Sequence, residues 1–156
     1  MGGGSKVLSD ILDESLVQLD VEASDWRDAV RKSTQPMVDQ GKVLTTYVDD
    51  IIKGAEDCGP YFVLVPHVAM PHARPEEGAI ETAVGVTILR EPVEFGSEDN
   101  DPVKYLFPLS AKNSDNHLEA LGSLAELLAD EDFFERLDKA ETPKDVVDLV
   151  HEKEGR

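Results

Sequence analysis

The sequence predicts an α/β fold with a mixed central β-sheet sandwiched between helix layers. Three observations point there. Apolar runs of strand length occupy residues 16–21, 61–65, 82–89 and 104–109. Amphipathic helical stripes stand between and after them. The order is strand, two helices, several strands, then helices, without an internal repeat, and such an order packs helices on a sheet.

Residues 16–21 alternate, with Val17, Leu19 and Val21 on one face of a half-buried strand. Ser24 is a good N-cap for a helix whose buried face holds Trp26, Ala29, Val30, Ser33 and Met37. Pro36 should kink that helix or end it early, and Gly41 supports a stop. Thr45 should cap a second helix with Tyr47, Val48, Ile51, Ile52 and Ala55 inward. Gly54 weakens it, and the pair Gly59 and Pro60 ends it.

The continuous apolar run 61–65 suits a buried strand. Residues 66–72 contain Pro66 and Pro71, and residues before proline avoid helix, so this piece should be extended or turned. Residues 82–89 are apolar and β-branched, as in a central strand. An acidic loop should cover 91–102. In the run 104–109, Pro108 indicates an edge position or a bulge. Ser114 should cap a helix with Leu118, Leu121, Leu124, Ala125 and Leu128 on one face. A short acidic helix is expected over 131–137. The last helix should start at Thr142, with Pro143 in its first position and Val146, Val147, Leu149 and Val150 inward.

A chain of 156 residues, 40% of them hydrophobic, suits one core. Residues 1–8 are expected to be a flexible leader or a cloning remnant, and residues 9–153 the folded domain. Fifteen Lys and Arg against 33 Asp and Glu give a net charge of −18. Such a surface repels nucleic acid and anionic lipid and favours a basic docking partner. The alternative, favoured because the acidity is spread along the whole chain, is that it only keeps the protein soluble. The single cysteine, Cys58, cannot form an internal disulfide. That points to a reducing compartment, so a cytoplasmic location is expected. No apolar run approaches the roughly 20 residues that span a bilayer.

Four histidines are available for chemistry: His67, His72, His117 and His151. His151 lies among charged residues and reads as a solvated side chain. His72 follows Pro71 in a stiff segment, with Ala73 leaving room and Arg74 nearby. It is either a hydrogen-bonded loop residue or an imidazole presented to a partner. His117 falls in a first helical turn, where free N–H groups and the helix dipole disfavour imidazolium and favour an anion. It either faces water or donates to a phosphoryl oxygen. Together they suggest phosphoryl transfer: one imidazole attacks phosphorus while another and the helix end hold the oxygens. There is no phosphate-binding P-loop, no Gly-x-Ser-x-Gly elbow, no His-Glu-x-x-His and no cysteine pair. No metal and no cofactor are expected, and a histidine metal site ranks low because His67 and His72 lack helical spacing.

The segment from Gly59 to Gly78, GPYFVLVPHVAMPHARPEEG, resembles the enzyme IIA components of the bacterial phosphoenolpyruvate:sugar phosphotransferase system. It is similar to the mannitol/fructose class, and MPHARPEEG from Met70 is most similar to the ascorbate-specific branch. FGSEDNDP from Phe95, NSDNH from Asn113, the Phe133 and Phe134 helix and the Thr142 start fit as well. The resemblance spans nearly the whole chain.

The resemblance implies that His72 is phosphorylated by the small carrier HPr and passes the group to a cysteine of enzyme IIB. It makes the membrane IIC component an indirect partner, and His117 the second active-site imidazole. It implies ascorbate-type uptake. The alternative is a regulatory module of the nitrogen-related branch, which controls partners by its phosphorylation state. Two departures stand out. Mannitol-class members carry an arginine in the preceding helix, where residues 51–55 have none, and Arg74 is the substitute to test. His67 replaces an expected small residue, either as an incidental loop residue or as a third active-site imidazole.

Overall fold

A computed structural model describes residues 7–155. Most of the leader predicted over residues 1–8 lies outside that span. Its last two residues open a short helix, α1 (Val7–Ile11), and Leu8 is buried in the core. The folded region therefore starts earlier than residue 9. The N–H groups of Leu8 and Ser9 donate to the Glu154 carboxylate at 3.2 and 2.7 Å, joining the two ends of the chain.

Strand β1 (Val17–Val21) leads to α2 (Trp26–Asp39) and α3 (Thr45–Cys58). After α3 come β2 (Val68–Ala69), β3 (Ala83–Val84), β4 (Val86–Val93), β5 (Val103–Leu106) and β6 (Leu109–Ser110). Helices α4 (Ser114–Leu128), α5 (Glu131–Leu137) and α6 (Pro143–Lys153) close the described chain. The main sheet has the order β1-β4-β5-β2, and β3 pairs with β6 in a separate ribbon. β4 runs parallel to β1 and antiparallel to β5, while β5 runs parallel to β2, so the sheet is mixed. Val86, Thr87, Ile88 and Leu89 are all buried. Successive strand residues face opposite sides, so both faces of the first half of β4 are covered, as a sheet between helix layers requires.

Several predicted details shift. The strand predicted over residues 61–65 does not form. Phe62 and Val63 are buried, but Leu64 is 63% exposed, and the Val63 N–H turns back to the Pro60 carbonyl. Between Pro60 and Pro66 the apolar run packs as a loop, which periodicity cannot distinguish from a strand. Pairing begins instead at Val68, inside the segment predicted to be extended.

The run 82–89 breaks at Gly85. A Cβ there would stand 3.0 Å from the Leu16 carbonyl oxygen and 3.1 Å from Pro108 Cγ. β4 then continues to Val93, into the predicted acidic loop. β5 is interior, not an edge, and Pro108 lies after it, where its carbonyl accepts the Gly85 N–H at 2.9 Å.

Helix starts move by one residue. Asp25 caps α2 in place of Ser24, Leu44 precedes α3 without a side-chain cap, and Asn113 caps α4 in place of Ser114. Pro36 does not end α2. Proline deprives the carbonyl four residues back of its donor, and the Gln18 side-chain amide supplies one to the Lys32 carbonyl at 2.7 Å. In α4 the buried face is Ala120, Leu124 and Leu127, while Ala125 is exposed and Leu118 is 68% exposed. α5 and the Thr142 start of α6 form as predicted, and Asp145 completes a capping box with Thr142. Among the described residues no helix is long and apolar enough to cross a membrane.

Candidate active site

His72 sits just beyond β2 in a segment whose backbone is tied on several sides. The Phe107 N–H donates to the Ala69 carbonyl at 2.8 Å, and the Leu109 N–H to the Pro71 carbonyl at 2.9 Å. The Met70 N–H donates to the Phe62 carbonyl at 2.9 Å. The buried Tyr47 of α3 adds a polar anchor. Its hydroxyl oxygen lies 2.8 Å from the Leu109 carbonyl and 3.1 Å from that of Ala73, and it accepts the Ala73 N–H at 3.1 Å. The proline-framed loop is thus fixed to both α3 and β6.

The His72 Nδ1 lies 2.6 Å from the Met70 carbonyl oxygen. A carbonyl oxygen only accepts, so Nδ1 carries the proton and Nε2 keeps a free lone pair. Burial lowers the His72 pKa below its ordinary 6.5, and the bond to Met70 offsets that only in part. The imidazole is therefore neutral near pH 7, with Nε2 as a competent nucleophile.

His117 stands across the cleft, its ring centroid 5.2 Å from that of His72 and the planes 53° apart. It lies in the first turn of α4, and its N–H donates to the Asn113 carbonyl at 3.0 Å. The Asn113 side chain accepts the Asn116 N–H at 2.9 Å. That leaves the N–H groups of Ser114 and Asp115 without intrahelical acceptors at the positive end of the helix. Burial lowers the His117 pKa, and the neighbouring His72 lowers it further. The His117 Nδ1 is buried without a hydrogen-bond partner among the described residues. An orphaned donor is rarer than an orphaned acceptor. Nε2–H is therefore the favoured tautomer, a donor suited to an anionic oxygen.

These residues line a cleft of 630 Å³. Asp50, Gly54 and Cys58 of α3 form one wall, Tyr61 and residues 72–75 the second, and Ser114, His117 and Leu118 the third. The sequence-predicted pair His72 and His117 is brought together, and Arg74 lies with them. The Arg74 side chain is 78% exposed and only loosely paired with Glu77 at 3.6 Å, so it is free to swing. His67 is not on the cleft. It precedes the other end of β2, and its Nδ1 lies 2.8 Å from the Pro102 carbonyl, with φ at 70°. His151 lies in α6, off the cleft. Among the described residues no group of three or more His, Cys, Asp or Glu side chains is arranged to hold a metal ion.

Sequence reasoning misses Asp50, Gly54, Cys58 and Tyr61 as cleft residues. It places Tyr47 on a buried stripe without its anchoring hydroxyl. The signal for Tyr47 is a phenol on an otherwise apolar stripe, since a buried hydroxyl needs partners.

Comparisons with known proteins bear on the same span. The sequence model of the family described as "Phosphoenolpyruvate-dependent sugar phosphotransferase system, EIIA 2" matches residues 10–153. The mannitol-specific cryptic phosphotransferase enzyme IIA component of Escherichia coli (strain K12) is 38% identical over 143 residues. That match covers 92% of this chain and 97% of that protein. The ascorbate-specific PTS system EIIA component of Shigella boydii (serotype 4, strain Sb227) is 37% identical over 146 residues, covering 93% of this chain and 95% of that protein. The solution structure of the mannitol-specific cryptic enzyme IIA from Escherichia coli superposes with a TM-score of 0.84 at 37% identity, covering 93% and 98% of the two chains. A complex of mannitol enzyme IIA with phosphorylated mannitol enzyme IIB from Escherichia coli matches with a TM-score of 0.78 at 26% identity, covering 89% and 96%.

Proposed function

This chain belongs to the EIIA 2 family of the phosphoenolpyruvate-dependent sugar phosphotransferase system and is thereby a phosphocarrier of such a system, and on that premise we propose that His72 is the residue that carries the phosphoryl group. One observation carries the assignment: the Met70 carbonyl holds the His72 proton on Nδ1, beside His117, and leaves Nε2 to attack. The donor is the phosphohistidine of HPr. The His72 Nε2 lone pair forms an N–P bond while the donor's N–P bond breaks, and the donor nitrogen keeps the electron pair. The His72 ring then gains cationic character with its Nδ1 proton still in place, and the bond to Met70 becomes charge-assisted.

In the second half the group moves to a cysteine thiolate of an enzyme IIB. An S–P bond forms, the N–P bond breaks and His72 returns to its neutral tautomer. His117 Nε2–H and the N–H groups that open α4 stabilise the phosphoryl oxygens as charge redistributes. Arg74 swings from Glu77 toward those oxygens and supplies the guanidinium that residues 51–55 lack. The cognate system is of ascorbate type, supported by the MPHARPEEG segment and the ascorbate-specific relatives. The mannitol-specific cryptic relative supplies the rival substrate. The sugar is held by the membrane component, so assay against the two kinds of IIB separates them.

Incubation with phosphoenolpyruvate, enzyme I and HPr, followed by intact mass, tests the reading. A single acid-labile phosphate is expected, absent in H72A. No mass gain with active upstream proteins overturns it. H117A should still fold and take up label but pass the group on about 10²-fold more slowly, as when an electrostatic stabiliser is lost. Normal transfer by R74A would remove the role given to Arg74.

A further inference from the structure

Tyr61 stands at the mouth of the cleft, 37% exposed, and makes two contacts with His72. Its hydroxyl donates to the His72 backbone carbonyl. Its ring meets the imidazole edge-on, with centroids 5.5 Å apart and planes at 82°. The same ring packs against Phe62 at 4.9 Å and against α3 at Gly54, where a Cβ would come within 3.3 Å of Tyr61 Cε1. Burial keeps the phenol protonated, its pKa pushed up to about 12, so the hydroxyl remains a donor at neutral pH.

No other donor reaches the His72 carbonyl among the described residues. The ring direction of His72 depends on the backbone that carries it and on the Nδ1 bond to Met70. Tyr61 constrains both, because it fixes the carbonyl and bounds the imidazole on one side.

We propose that Tyr61 is a positioning residue for the phosphoryl acceptor: wedged against Gly54, it holds the His72 backbone and ring so that the Nδ1–Met70 bond persists and Nε2 stays presented to the cleft. The inference rests on His72 being the acceptor. Displacing a reacting group by about 1 Å costs on the order of 10²-fold in rate, and removal of one neutral hydrogen bond costs roughly fivefold.

The test compares Y61F, Y61A and G54A with the unaltered protein in two measurements. The first is phosphoryl transfer from phospho-HPr, resolved into kcat and KM. The second is the ¹⁵N spectrum of the His72 imidazole without any phosphoryl donor. Y61F should fold normally, lose about fivefold in kcat with little change in KM, and show a mixture of His72 tautomers. Y61A should lose on the order of 10²-fold. G54A, whose methyl group crowds the ring, should fall between them. Unchanged kcat in Y61F and Y61A overturns the proposal, as does a loss confined to KM or a rate loss with the tautomer signature intact. If the unaltered protein takes no phosphate on His72, the reading of the site fails instead, and the tautomer measurement still judges Tyr61.

Discussion

His72 and His117 both lose basicity to burial, and His117 loses more to its imidazole neighbour. In the proposed mechanism neutral Nε2 is the attacking form, so phosphoryl acceptance should rise with pH through a His72 pKa below 6.5 and level off above it. NMR titration of the two imidazoles alongside transfer rates checks this. A rate that keeps rising well above pH 6.5 would contradict it. The same shifts set a stability trend. The unfolded imidazoles bind protons at their ordinary value while the folded ones resist, so the contribution is full above 6.5 and is lost as pH falls through the depressed folded values. Denaturation midpoints should therefore drop on acidification in that window. At this scale the candidacy of His72 is legible, because two prolines frame a stiff segment. Its tautomer is not, because the acceptor is the backbone carbonyl of Met70, which carries no sequence signature.

The position of His117 depends on how α4 begins. The Asn113 side chain, not that of Ser114, accepts the Asn116 N–H. N113A should cost about 1 kcal/mol of stability, whereas S114A should stay near the unaltered value. Chemical denaturation of the two variants decides between these caps. N113A should also slow onward phosphoryl transfer, because a frayed first turn carries His117 with it. Capping residues are legible in the sequence to within one position, since Ser, Asp and Asn neighbour each other at these starts and any can serve. The survival of α2 past Pro36 is less legible. It needs Gln18, on a different element, to satisfy the Lys32 carbonyl, and local pattern carries no trace of that bond. The exposed Leu118 has a similar origin, because the packing partners of α4 and not its periodicity choose the buried arc.

A net charge of −18 acts on the molecule as a whole. Surface charge speeds encounter with an oppositely charged partner and is screened within about 8–10 Å at moderate salt. If HPr approaches with a basic face, KM for phospho-HPr should rise steeply between about 0.05 and 0.5 M salt while kcat holds. Transfer kinetics at several ionic strengths measure this, and a flat KM would assign the acidity to solubility alone. The sheet shows the same division between what is local and what is global. The β-branched run after Thr82 announces a central strand, and β4 is one, covered on both faces over residues 86–89. The close approach that excludes a side chain at Gly85 comes from Leu16 and Pro108, which are remote in sequence.

Local sequence pattern alone carries the class of fold, the starts of five of the six helices among the described residues to within a residue, and the two imidazoles proposed to do the chemistry. These follow from local forces: apolar period, capping groups and the stiffness of proline. Packing of the assembled layers turns residues 61–65 into a loop and pins His67 to Pro102, away from the cleft. It also lays Tyr61 across Gly54 against His72. Each of these is set by contacts between segments distant in the chain or by backbone carbonyls that every residue shares. The choice of partner in such contacts is made when the layers pack, so no local window of sequence contains it.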